Sequence, residues 1–496
     1  MKKLTYIAAL ASSLLLTTSC VDLTQEPQSF ITDEHYIASM DLAGLQKAAT
    51  GLYNNMWHSN YGFNSRIQRL NVCADDITYR AAKANNPLAN YYRLTPNITA
   101  NTQDYDITWE LFFAVINNAN TLINKTVLPE DEKLAKQYEA VLGEAYFLRG
   151  LAYFYLVRIY GDVPLILNFE EADTYMPRSS VAEIYEKAII PSLKEAYRVL
   201  PAKSRSKDSS TPSKWAAEAC LADVYMTMAG WPLNKGKEYY GLAAAAAKDI
   251  IKNAGLKLTK KYADLWQEAN KKQANEFMFA LHHDAKLKTA SNYGKSYYPS
   301  DFAPNAGWSD YYGSEKFYET YPNDERKAHN YMTSWNTKNG VVDYTESADK
   351  LPAISKYYGY DNGAPGKSAQ SNGVTCIYRY ADVLLMYAEA STRANNAVDG
   401  EALNSIQEVQ KRAGYEDNML TTATNPTEFL EAVFNERGWE FFAEMKRWFD
   451  LVRLEKVKDV RPETWNGSLF QTNQHYYFPI PFQQIRLTGW QNNPGY

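Results

Sequence analysis

Apolar residues recur at three- and four-residue spacing over several long stretches of this chain, a pattern that predicts helices. The longest ends in Gly143-Glu-Ala-Tyr-Phe-Leu-Arg-Gly-Leu-Ala-Tyr-Phe-Tyr-Leu-Val-Arg-Ile-Tyr-Gly-Asp-Val-Pro164. Leu148, Leu151, Ala152, Tyr155, Leu156 and Ile159 form one apolar stripe, while Ala145, Gly150 and Ala152 are small enough to let a second helix approach closely. Pro129 and Asp131 mark the start, Gly161 can take the left-handed conformation that ends a helix, and Pro164 keeps it from resuming. At about 30 residues this helix would be roughly 45 Å long.

The same spacing predicts helices over about 32–58 (Leu42, Leu45, Ala49, Leu52, Met56) and 104–124 (Trp109, Phe112, Phe113, Ile116, Ala119, Ile123). Ser180 to Glu183 has the form of a capping box ahead of Ile184, Tyr185, Ala188 and Ile189. Further helices are expected over 213–229, 236–254, 377–395, 400–412 and 427–454. Helix pairs with Ala at close-approach positions and aromatics between them point to a mainly α, tetratricopeptide-like (TPR-like) scaffold, although no regular period of about 34 residues emerges.

The helical pattern fails from about 257 to 375. Asn275 to Leu281 reads as a strand, and a loop-rich stretch follows that carries Tyr293, Tyr297, Tyr298, Phe302, Trp308, Tyr311, Tyr312, Phe317, Tyr318, Tyr321, Tyr331 and Trp335. A long irregular insertion in a helical protein is functional or disordered, and this density of aromatics argues for order.

Lys2 and Lys3, the short apolar run Leu4 to Leu16, and then Thr17-Thr18-Ser19-Cys20 read as an export signal. The junction resembles a bacterial lipobox, with Thr17 where Leu is usual and Leu16 one place earlier. It predicts a signal peptide over 1–19 and a lipid-anchored Cys20; an ordinary secretory signal is the alternative. The remainder, 20–496, is expected to be one body, with helical scaffold over about 30–256 and 376–455 and the insertion at 257–375.

Composition narrows the function. The chain has 39 Tyr, 11 Trp and 19 Phe, an excess of rings suited to stacking and hydrogen bonding. Its formal net charge is −5 and becomes more negative once Lys2 and Lys3 are removed, which argues against nucleic acid. Cys73, Cys220 and Cys376 are far apart with no CxxC pairing, which argues against a zinc site or disulfide framework, and Cys220 and Cys376 read as buried small hydrophobes. No phosphate loop, H-E-x-x-H or G-x-S-x-G motif is present. His282-His283-Asp284 is the one cluster that suggests a metal or acid–base role, but adjacent residues on a strand point to opposite faces.

Several blocks share an order with one known family. The Gly143–Pro164 stretch resembles the G-E-A-x-F-L-R-A-x-x-Y-F-x-L-V-x-x-(Y/F)-G-D-V-P block of the SusD/RagB family of outer-membrane nutrient-binding lipoproteins. Ile377 to Ala390 is similar to its R-Y-A-D-V-L-L-x-x-A-E-A block. Ala402 to Gly414 is similar to its A-L-x-x-I-N-x-V-R-x-R-A-G helix, with Gln407 and Gln410 in place of Asn and Arg. Glu436 to Arg453 follows the E-R-x-x-E…E-G-x-R-W-x-D-L-x-R block with Met445 where Gly is frequent, and Phe478-Pro-Ile-Pro481 and the Pro-Gly-Tyr496 end complete the series. Read from the residues alone, Arg379 with Asp382, and Glu436, Arg437, Glu440, Arg447, Trp448 and Asp450, look like ion-paired seams on helix faces.

The resemblance implies a cell-surface protein that binds a glycan without catalysis and delivers it to a SusC-like, TonB-dependent outer-membrane barrel. It implies no cofactor and leaves structural Ca²⁺ open. Two alternatives are a lipid-anchored all-helical carbohydrate-active enzyme and a non-binding lid or assembly subunit of the transporter. For an enzyme, Asp75-Asp76 and the acids from Asp301 to Asp310 are the nearest carboxylate candidates. In the family the glycan contacts come from irregular loops, which correspond here to about 83–97 and 290–336. Sugars stack flat C–H faces on Trp or Tyr and need amide, carboxylate or guanidinium groups at their edges. The candidates are therefore Trp308, Tyr311, Tyr312 and Asp310; Asn90, Tyr91, Tyr92 and Arg93, near Asn85 and Asn86; and Tyr298 and Trp335.

Overall fold

A computed structural model describes residues 37–56, 72–79, 103–168, 175–360, 368, 370–461, 476–494 and 496. Cys20 and Asn90 to Arg93 lie outside the described residues. The scaffold helices are α1 (Leu42–Asn55), α2 (Gln103–Lys125), α3 (Glu132–Tyr160), α4 (Ile190–Val199), α5 (Lys214–Ala229), α6 (Lys237–Asn253), α7 (Tyr380–Asn395), α8 (Gly400–Arg412), α9 (Pro426–Glu440), α10 (Arg447–Arg453) and α11 (Phe482–Thr488). From α1 to α8 each packs on the next, so the series is a stack of antiparallel pairs, TPR-like in arrangement. The insertion leaves after α6, and α7 returns to pack against α6, so the stack is continuous across it.

Helix α3 shows how the stack is built. Asp131 caps it, its carboxylate accepting from the Leu134 N–H at 2.8 Å, and Gly161 closes it at φ +72. The sequence stripe predicts one buried face, but the helix is buried all round from Val141 onward except at Tyr146 and Arg158. Helices α1, α2 and α4 pack against it, so residues outside the stripe, such as Phe147, Tyr153 and Phe154, are buried too. Each such side chain contributes about 1.5–3 kcal/mol on burial. At Gly150 a methyl group would sit 2.8 Å from Leu193 of α4, the close approach the small residues foreshadow. By length and composition α3 could span a bilayer; its burial makes it a core helix.

Three expected helices differ in the structure. The one expected over about 32–58 breaks at residues 39–41, where Asp41 caps α1, its carboxylate accepting from the Gly44 N–H at 2.7 Å. Residues 374–379 are strand β8 (Val374–Arg379), and Arg379 is the N-cap of α7 rather than a helical residue. Asp382 reaches back to accept from the Arg379 N–H at 3.0 Å. The stretch 427–454 is two helices, α9 and α10, separated by a turn in which Ala443 (φ 57) and Met445 (φ 63) are left-handed. That conformation accounts for the Gly that the related block carries at Met445.

The charged residues expected in ion-paired seams do pair, Arg437 with Asp450 at 3.0 Å, but they are buried and most of their partners come from other elements. Arg326 binds Asp324, Glu436 and Glu440; Arg379 binds Glu276, Glu440 and Glu444; Arg412 binds Glu276 and Glu440; Lys356 binds Glu444. Burial opposes ionisation of Glu440, yet Arg412, Arg379 and Arg326 pull its pKa down to about 2. The network ties α8 and α9 to β2 (Phe277–His282), to β8 and to the insertion helix Glu325–Asn330.

Candidate functional site

The insertion is ordered by short strands in antiparallel pairs. Strand β1 (Ile77–Tyr79) pairs with β3 (Tyr311–Gly313), Thr78 opposite Tyr312; β2 pairs with β8; β4 (Tyr331–Met332) pairs with β7 (Ala353–Ile354); β5 (Ser334–Thr337) and β6 (Gly340–Asp343) form a hairpin. Residues 307–310 run along 295–300. Gly307 N–H donates to Pro299 O at 2.9 Å, Ser309 N–H to Tyr298 O and Asp310 N–H to Ser296 O at 3.0 Å, and Ser300 N–H to Ser309 Oγ at 2.7 Å.

This framework divides the candidates by exposure. Tyr298, Tyr311, Tyr312 and Trp335 are buried, whereas Trp308 and Asp310 are half-buried at the edge. Tyr312 donates its hydroxyl to Asp349 at 2.7 Å, and the Trp335 indole N–H donates to Asp301 at 2.9 Å. Tyr297 stacks on Tyr357 with ring centres 5.6 Å apart. The Tyr298 ring meets Phe302 at 5.5 Å and Tyr358 at 5.8 Å, both edge-on.

Tyr358 is the exposed member of this cluster, at 39% of its surface. The sequence reading of the insertion stopped its aromatic inventory at Trp335 and missed it. The signal was present in the run Lys356-Tyr-Tyr-Gly-Tyr360. A ring held by buried rings beneath it and open above is a stacking platform whose rotamer entropy is largely removed before any ligand arrives.

Beside β1 lies a cleft of about 500 Å³, lined by Asp75, Thr78, Lys316, Phe317, Trp439 and Arg447 among others. Asp75 is held by Arg447 through contacts of 2.7 and 3.0 Å. Asp76 is buried and accepts from the Ala443 N–H at 3.0 Å; burial and then the neighbouring Asp75 raise its pKa to about 6. Among the described residues, no group of three or more His, Cys, Asp or Glu side chains is arranged to hold a metal ion.

The two histidines of the 282–284 cluster take separate partners. His282 Nε2 meets Ser209 Oγ at 2.9 Å, while His283 Nε2 meets Thr375 Oγ1 at 2.7 Å and its Nδ1 meets Thr289 O at 3.1 Å. Burial lowers the pKa of His282 to about 4, His283 to about 3 and His329 to about 4. Between about pH 6.5 and 4 the unfolded chain therefore binds protons that the folded chain refuses, so this stabilisation is present above pH 6.5 and lost as pH falls. Asp76 and Glu218, raised by burial to about 6 and about 8, act in the opposite sense, their contributions being lost as pH rises, and they offset part of the histidine effect. The urea midpoint is expected to drop markedly from pH 7 to pH 4.5. A constant midpoint would contradict neutral, buried imidazoles.

A profile described as "Starch-binding associating with outer membrane" matches residues 25–226, and the profile of the SusD family matches residues 232–496. SusD-like protein P2 of Formosa agariphila is 27% identical, with 100% of this chain and 99% of the relative aligned. A SusD superfamily protein from Parabacteroides distasonis superposes with a TM-score of 0.79 at 25% identity, covering 94% of this chain and 100% of that one. Surface glycan-binding protein A from Bacteroides thetaiotaomicron, solved in complex with laminarihexaose, superposes with a TM-score of 0.73 at 21% identity over 91% of this chain and 99% of that one. With the family profile spanning more than half its length and its helix stack shared with solved members, the chain belongs to the SusD family.

Proposed function

We propose that this protein captures an oligo- or polysaccharide on the insertion face and passes it to a SusC-like, TonB-dependent barrel. Acylated Cys20 would hold it on the outer surface of the outer membrane. Family membership and the outer-membrane association in the profile's description support the location and the partner. The laminarihexaose complex of a protein with the same fold makes β-glucan oligosaccharides the first ligands to try.

The observation that carries the binding site is the graded aromatic layer. Tyr358 stands exposed over buried Tyr298 and Phe302, and half-buried Trp308 follows in the backbone held against Tyr298. In this reading Tyr358 and Trp308 stack on pyranose faces and Asp310 takes hydroxyl hydrogens at the edge. Tyr298, Tyr311, Tyr312 and Trp335 hold the platform from beneath. Asn90, Tyr91, Tyr92 and Arg93 remain candidates on composition. Binding without turnover fits the neighbouring carboxylates, since Asp75 is held by Arg447 and Asp301 by Trp335.

Calorimetry against laminarihexaose, maltohexaose and a polysaccharide panel tests this. Trp308→Ala and Tyr358→Ala are each expected to weaken binding about tenfold, the effect of losing a central aromatic anchor. Unchanged affinity in both variants would sink the site, and shortened products after incubation would favour the enzyme reading.

A further inference from the structure

Asn-Gly occurs in this chain at 339–340, 362–363, 372–373 and 466–467. In this dipeptide a backbone nitrogen meets its neighbour's side-chain amide with the least obstruction, because glycine puts no Cβ beside the nitrogen. Two of the pairs, 362–363 and 466–467, lie outside the described residues. The other two have the same chemistry in opposite surroundings.

Asn339-Gly340 forms the tip of the β5–β6 hairpin, where residues 338–341 are exposed, Val341 at 73% of its surface. The ladder runs from Ser334 opposite Asp343 to Thr337 opposite Gly340, so Gly340 is the last rung before the turn, a place where strands fray. Asn339 N–H donates to Thr337 Oγ1 at 3.1 Å, and Thr337 Oγ1 donates to Gly340 O at 2.9 Å. Neither bond engages the Asn339 carboxamide. A Cβ built on Gly340, at φ +119, would meet no atom within 4 Å, so the space a new ring needs is open.

Asn372-Gly373 is held on every side. Asn372 Oδ1 accepts from the Ala285 N–H at 2.8 Å, Asn372 N–H donates to Tyr360 O at 2.9 Å, and Gly373 O accepts from the His283 N–H at 3.0 Å. Gly373 is buried, and a Cβ there would fall 1.8 Å from the Tyr360 ring. Rotation of the Asn372 amide onto the Gly373 nitrogen would have to break this packing.

We propose that Asn339 is a site of spontaneous deamidation, consuming water and releasing ammonia, and that the fold protects Asn372 from the same reaction. The Gly340 nitrogen attacks Asn339 Cγ. As the new N–C bond forms, the Cγ–Nδ2 bond breaks, and Nδ2 leaves as ammonia with the proton given up by the Gly340 nitrogen. Water then opens the succinimide at either carbonyl. One opening leaves an aspartyl residue at 339; the other leaves an isoaspartyl link that routes the main chain through Cβ and Cγ. Both add a negative charge to the hairpin tip. The isoaspartyl link also lengthens the turn by one methylene in the hairpin that carries Trp335, whose indole N–H holds Asp301 at 2.9 Å. No enzyme is needed, and local order sets the rate.

The test keeps the full-length protein folded in mildly alkaline buffer, beside an unfolded sample in urea, and follows the peptide around each Asn-Gly pair by mass spectrometry. In the folded protein the 339 peptide is expected to convert from amide to acid and to split into aspartyl and isoaspartyl forms, while the 372 peptide stays unchanged. In urea both should convert. Hydroxylamine, which cleaves succinimides, should cut the folded chain after residue 339. Asn339→Gln, whose ring closure is larger and slower, should abolish the conversion and leave Tm unchanged. Conversion of the 372 peptide as fast as the 339 peptide in the folded protein would overturn the proposal. So would a 339 peptide that stays intact in the folded protein over the time in which it converts in urea.

Discussion

Arg379→Met is expected to destabilise the fold by about 3–5 kcal/mol, the magnitude seen when one partner of a buried ion pair is removed. Arg379 is fully buried at the strand end that caps α7. Its Nε and Nη2 hold Glu444 at 3.0 and 2.8 Å, its Nη1 holds Glu276 at 2.8 Å and Glu440, and Nη2 also donates to Glu440 O at 2.9 Å. Methionine would fill part of the volume but leave three carboxylates short of a cation in a dry interior. Three cations would remain for them: Arg412 on Glu276 and Glu440, Arg326 on Glu440, and Lys356 on Glu444. Burial already opposes ionisation of Glu444, and at present Arg379 and then Lys356 pull its pKa below the ordinary value.

Without Arg379, Glu440 and Glu444 would titrate higher in the folded state. The penalty would be largest at neutral pH and would shrink as the pH falls and they protonate. Urea unfolding at pH 7 and pH 5 checks both parts. A loss under about 1 kcal/mol at pH 7, the usual ceiling for a surface pair, would mean that the network is solvated. Arg379→Lys should recover only part of the loss, because one ammonium group cannot reproduce the forked contacts.

Gly307→Ala is expected to disable glycan capture while leaving the helical scaffold intact. A Cβ at position 307 would sit 2.0 Å from Tyr298 O, a backbone atom that cannot rotate away. The 307–310 segment would be pushed off, breaking the bonds from Gly307 to Pro299 and from Ser309 to Tyr298 that seat Trp308. Overpacking of this kind costs about 1–3 kcal/mol locally. The helix stack, held by the packing of α1 through α8, does not depend on that segment. Far-UV circular dichroism should be unchanged, and binding to the best oligosaccharide of the panel should weaken at least as much as in Trp308→Ala. Full affinity in Gly307→Ala would separate Trp308 from the ligand site.

Both predictions rest on features unevenly legible in the sequence. The helices and their caps followed from apolar spacing and punctuation. Asp131, Ser180 and Gly161 do in the structure what their residue types suggested, because capping and helix termination are decided within a few residues. The TPR-like class followed from small residues opposite large ones, and the family from the order of its blocks. Even Met445, an apparent departure, marked a left-handed turn that splits one expected helix into α9 and α10.

What long-range packing decides was not legible. Strand alternation would turn one of Tyr311 and Tyr312 outward, but β3 lies between β1 and β7 with the Tyr293–Tyr297 helix against it, so both rings are buried. Residues 377–379 read as helix until the antiparallel pairing of β8 with β2 draws them into a strand. The charged residues of α9 read as a seam along one helix face, and it is Glu276, Arg326, Arg379 and Arg412 from other segments that make a buried network of it. The sequence by itself determined most of the helical segments, several of their caps and which family they build, because those choices depend on near neighbours and on pattern. Only the tertiary structure decided which of the many aromatic rings support the surface and which are left open to a ligand, because exposure depends on what other segments of the chain cover.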